Sequence, residues 1–69
     1  MDPQATWEEL LSAYGNQQFD DAKEAAENLS QWLARGGFPP LTIPLIAQGD
    51  ELHRVVALAV IERVLDCQH

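Results

Sequence analysis

Phe19, Ala22, Ala26, Leu29 and Leu33 recur at spacings of three, four, three and four residues, and no other feature restricts the fold of this chain so tightly. The period is helical, with a narrow apolar seam on one side and polar residues elsewhere. It predicts a helix from about Gln18 to Arg35. Two alanines in the seam let a neighbouring helix approach closely. Asp20 and Asp21 stand at the end where the helix dipole favours acids, and Arg35 stands where it favours a base. Lys23 lies within pairing distance of Asp20 or Glu27. Gly36 fits the position just past a helix C-terminus, and Pro39-Pro40 cannot continue the helix.

A shorter helical stretch precedes this one. Trp7, Leu10, Leu11 and Tyr14 stand at i, i+3, i+4 and i+7, which is one helix face. Thr6-Trp7-Glu8-Glu9 reads as a capping box that starts the helix near Thr6. Asp2 followed by Pro3 is an alternative start, with proline at the first helical position. Gly15-Asn16 supplies the left-handed or turn conformations that end it.

Residues 36–49 read as a connection holding a short turn from Pro44 to Gln48, closed by Gly49. The last helix starts at Asp50 as N-cap and runs to about Cys67, with Asp50 and Arg54 as an i, i+4 pair. Val55–Ile61 is β-branched enough for a buried strand, but Asp50 to Asp66 contains no turn signal and its length favours a helix. The expected architecture is all-α, one small three-helix domain over residues 1–69: an antiparallel helical hairpin plus a third apolar helix. Trp7, Leu10, Tyr14, Leu29, Leu33, Val56 and Ile61 are the expected packing residues.

Trp7-x-x-Leu10-Leu11-x-x-Tyr14 followed by Phe19-Asp20-Asp21-Ala22 resembles the helix-turn-helix unit of the tetratricopeptide family. The likeness covers residues 7–33. Leu11 stands where that family has a small Gly, Ala26 where it has an aromatic, and the closing Pro comes late, at Pro39. One unit without a second copy implies a helical hairpin and no peptide-binding groove of the family type. The stretch from Trp32 to Pro40 also resembles a loop of short, uncharacterised bacterial proteins, which implies a fold and no chemistry.

Size limits what such a chain can do alone. Burial worth roughly 100 kcal/mol is set against an ordering cost of roughly 100 kcal/mol for 69 residues, so association is an expected source of stability. Val55–Ile61 is apolar on every side of a helix, which makes it the expected self-association surface. Charge narrows the partners. Residues 1–34 hold seven acids and one base, residues 35–69 hold four acids and three bases, and the net charge is −7. A chain without a basic stripe is not expected to bind nucleic acid or an anionic membrane. One cysteine forms no intrachain disulfide, and the opening residues carry no signal-peptide pattern, so a cytoplasmic location is expected.

Enzyme chemistry has little to draw on. The chain has no G-x-S-x-G, P-loop or H-E-x-x-H motif, and acids surround Lys23 and keep it charged. His53 reads as an ordinary, partly exposed histidine in the first turn of the last helix. Asp66, Cys67 and His69 supply two or three metal ligands where zinc needs four, so no metal and no cofactor is expected. The expected function is a small acidic protein-interaction module, a homodimer or an accessory subunit. Trp32, Phe38, Pro39, Pro40, Val56 and Val60 are the candidate partner-binding residues. The alternative is a small regulatory or enzymatic protein using His53 or the Cys67/His69 end.

Overall fold

The computed structural model describes residues 1–43, 46 and 48–66. It consists of three helices: α1 (Pro3–Gly15), α2 (Phe19–Ala34) and α3 (Asp50–Leu65). No strand occurs among the described residues, and Val55–Ile61 is helical throughout. The all-α, three-helix expectation holds. The expected turn from Pro44 to Gln48 involves positions outside the described residues.

Helix α1 begins at the alternative start. Asp2 is its N-cap, the carboxylate accepting from the N–H groups of Gln4 (3.0 Å) and Ala5 (3.3 Å), with Pro3 at the first helical position. Thr6 is inside the helix, and its hydroxyl donates to the carbonyl of Asp2 at 3.0 Å. The capping box at Thr6 is therefore corrected: the earlier cap extends the helix by a turn. The buried side of α1 is Pro3, Trp7, Leu10 and Ala13, so the expected face is rotated, and Leu11 and Tyr14 stay exposed.

Helices α1 and α2 close in the same way at their C-termini. After α1, the N–H of Gln18 donates to Ala13 O (2.8 Å) and that of Gln17 to Tyr14 O (3.1 Å). After α2, Gly37 N–H donates to Trp32 O (2.9 Å) and Gly36 N–H to Leu33 O (3.1 Å). Both are Schellman closures, which need a left-handed residue just beyond the helix. Gly36 supplies it at φ 85° as expected, but after α1 it is Gln17 at φ 61° and neither Gly15 nor Asn16.

Helix α2 is the centre of the fold. Its seam buries Ala22, Ala26, Leu29 and Leu33 with Ala25 added, while Phe19 at its start is half-buried. Trp7 and Leu10 of α1 pack on one part of this seam, and Ala57, Ile61 and Val64 of α3 complete the core. Helix α3 packs mainly on α2, so the third helix lies against one arm of the hairpin more than across both. Gly49, left-handed at φ 105°, is the N-cap of α3, and Asp50 is its first residue, contrary to the expected Asp50 cap.

Candidate functional site

Side chains from all three helices fasten the connection between α2 and α3. Trp32 of α2 donates its indole N–H to the carbonyl of Phe38 at 2.9 Å. Gln4 of α1 meets Leu41 with both ends of its amide, accepting from the N–H at 2.8 Å and donating to the carbonyl at 3.3 Å. Arg54 of α3 donates to Leu33 O at 3.2 Å and Gly37 O at 2.9 Å. The expected Asp50–Arg54 pairing gives way to this arrangement, in which a cation sits on the negative end of α2.

His53 is the fourth fastener. It is 1% exposed, which corrects the expectation of a partly exposed histidine. Its Nδ1 lies 3.0 Å from the N–H of Thr42 and 2.9 Å from the Thr42 hydroxyl, and its Nε2 lies 2.8 Å from Ile46 O. A backbone N–H can only donate, so Nδ1 accepts and Nε2 carries the proton given to Ile46. Both ring nitrogens are thus occupied, and no lone pair faces solvent.

The candidate binding residues separate into two groups. Phe38 is 63% exposed, and its ring stands edge-on to Trp32 at 5.7 Å between centroids. Trp32 is half-buried against the core. Pro39 and Pro40, the other loop candidates, are buried in the single chain. Val56 and Val60 are half-buried on α3, and Val60 packs on the core of its own chain. Cys67 and His69 lie outside the described residues.

A groove of about 300 Å³ with an almost wholly apolar lining runs between α1 and α3. Leu10, Leu11 and Tyr14 form one wall, and Ala59, Val60, Arg63 and Val64 form the other. It exists because α1 and α3 each pack on α2 and hardly touch one another. Leu11 (45% exposed) stands at its rim, and the Tyr14 ring is braced edge-on against Phe19 at 5.6 Å. Sequence reasoning placed Tyr14 among the packing residues and Leu11 on the same helix face, whereas both are exposed. Arg63 is the one charged residue of the lining.

No family model, no curated protein and no solved structure matches this chain. The functional reading therefore rests on the surface itself. The acids Asp20, Glu24 and Glu27 occupy the outer side of α2, turned away from both neighbouring helices. Among the described residues no cluster of His, Cys, Asp or Glu is arranged to hold a metal ion, and no helix is long and apolar enough to cross a membrane. The molecule therefore has an apolar groove bounded by α1 and α3, and an acidic face on α2.

Proposed function

We propose that this chain is a small acidic protein-interaction module whose working surface is the groove between α1 and α3. One observation carries the reading: a nearly uncharged groove of about 300 Å³, with Leu11 and Tyr14 left exposed at its wall. A domain of this size has few large apolar side chains to spare, and contiguous exposed ones mark interaction sites. Phe38, rigidly held beside Trp32, is a second apolar projection for the same role. The helical-hairpin resemblance to a tetratricopeptide unit belongs to this proposal, with α1 and α2 as scaffold.

The proposal takes the chain as a non-enzyme working without cofactor, and as a binder of protein and not nucleic acid. Its support is the burial of His53 with both nitrogens bonded, together with the net charge of −7. The single cysteine fits a reducing compartment, so the proposed location is the cytoplasm.

The test compares immobilised parent chain with Leu11→Asp and with Glu24→Ala on the outer side of α2. Proteins retained by the parent, a labelled copy of the chain included, should be lost with Leu11→Asp and kept with Glu24→Ala. Equal retention by the parent and both variants would overturn the groove as the working surface.

A further inference from the structure

We propose that the occupant of this groove is a second copy of the chain, with the two α3 helices antiparallel about a two-fold axis between Val56 and Ala59. This rests on the interaction-module reading and commits it to one partner. Leu52, Val56, Ala59 and Arg63 recur at spacings of four, three and four along α3, so they form one stripe. Ala59 and Arg63 of that stripe line the groove. Leu52, Ala59 and Arg63 are exposed and Val56 is half-buried, so the single chain leaves the stripe largely uncovered.

The stripe is complementary to itself in only one direction. About an axis midway along it, each Val56 meets Ala59 of the partner subunit, a larger residue against a small one. Each Leu52 then meets the aliphatic stem of Arg63 of the partner subunit. Helix α3 opens with Asp50 and Glu51 and has Arg63 in its last turn. Antiparallel pairing brings each guanidinium within about one turn of Glu51 of the partner subunit, whereas parallel pairing sets Arg63 on Arg63 and Glu51 on Glu51.

The charge distribution fits the same partner. The acids on the outer side of α2 point away from the groove, so they add little repulsion when two chains of charge −7 join there. A standard interface takes about 800 Å² from each partner, roughly one sixth of the 4683 Å² this chain exposes. Leu11 and Tyr14 of α1 and Val55 of α3 border the stripe and supply apolar area on both flanks. A closed two-fold pair uses the patch once on each chain and leaves no copy free to extend a fibre.

Sedimentation equilibrium of the full chain at micromolar concentration tests this directly. The parent should run at twice its 7.7 kDa chain mass. Ala59→Glu, at an exposed position, should run at the single-chain mass with its helical circular dichroism intact. Glu51→Arg and Arg63→Glu should each weaken pairing about tenfold, and the double variant should restore it to within about threefold of the parent. Glu51 and Arg63 are too far apart on one helix to rescue each other within a chain. A parent that stays at 7.7 kDa, a paired Ala59→Glu variant, or a double variant weaker than both single ones would each overturn the proposal. A single-chain parent that still loses a retained protein on Leu11→Asp removes the second copy and leaves the interaction module standing. Equal retention by the parent and Leu11→Asp removes the module as well.

Discussion

The indole of Trp32 occupies the space that a side chain on Gly37 would need. A Cβ built there falls 2.5 Å from Nε1 and 2.6 Å from Cδ2 of that ring. The same indole is held in place by its bond to Phe38 O and its edge contact with the Phe38 ring. Gly37→Ala should therefore displace the ring and cost about 1–3 kcal/mol. Gly36→Ala, at φ 85° with open space around it, should cost about 1–2 kcal/mol from backbone strain alone. Urea unfolding measures both losses. The indole N–H resonance of Trp32 should move for Gly37→Ala and stay for Gly36→Ala.

Arg54 contributes through two backbone carbonyls and not through an acidic neighbour. Arg54→Met keeps most of the stem and removes the donors to Leu33 O and Gly37 O. The loss should be about 1.5–3 kcal/mol, as for hydrogen bonds that involve a charged group. Asp50→Ala should change the melting temperature little by comparison. Thermal unfolding of the two variants separates the contributions, and a larger effect at Asp50 would contradict the assignment.

His53 should be the Nε2–H tautomer, because Nδ1 faces the N–H of Thr42. Nitrogen-15 shifts of the imidazole report the tautomer without perturbing the chain. His53→Leu leaves Thr42 N–H and Ile46 O without their partner, at about 1–3 kcal/mol for each group. A neutral effect in chemical denaturation would show that water replaces the ring.

Gln17 holds a left-handed conformation that favours glycine. Gln17→Gly should raise stability by about 0.5–1 kcal/mol, the relieved strain exceeding the added freedom of the unfolded chain. The measurement is the urea midpoint with an unchanged slope. A drop in the midpoint would mean that the Gln17 side chain contributes more than its backbone costs.

Helix α2 was readable because its seam and its closing Gly36 are both local signals. Ala22, Ala26, Leu29 and Leu33 declare a face, and a glycine after the last turn declares an end. Helix α1 shows the limit of that reading. Periodicity says which residues share a side, but the position of α2 decides whether Leu11 or Ala13 is turned inward. His53 and Arg54 were misread for a different reason. Their partners are mostly backbone groups, at Thr42, Ile46 and Gly37 of the connection and at Leu33 in the last turn of α2, and backbone groups leave no mark in a sequence. The stripe Leu52–Val56–Ala59–Arg63 has a readable spacing, but the unbroken apolar run from Val55 to Ile61 hides it. Val60 of that run lines the groove and also packs on the core of its own chain. With Val60 packed on its own core, Val60→Glu disturbs the single chain, and Ala59→Glu is the cleaner probe of pairing.

The fastening of the α2–α3 connection by Gln4, Trp32, His53 and Arg54 ties its backbone to all three helices. Gln4 and Leu41 are 37 residues apart, so their bond forms only after α1 has docked. Among its described residues the connection has no strand or helix, and its bonds run to side chains of the surrounding helices. The Thr42 amide, held by the buried His53 ring, should therefore exchange with solvent only when the helices around it separate, and the exposed Leu41 amide sooner. One loop amide, that of Thr42, should thus act as a clock for global unfolding, slower to exchange than the exposed ends of the helices that guard it.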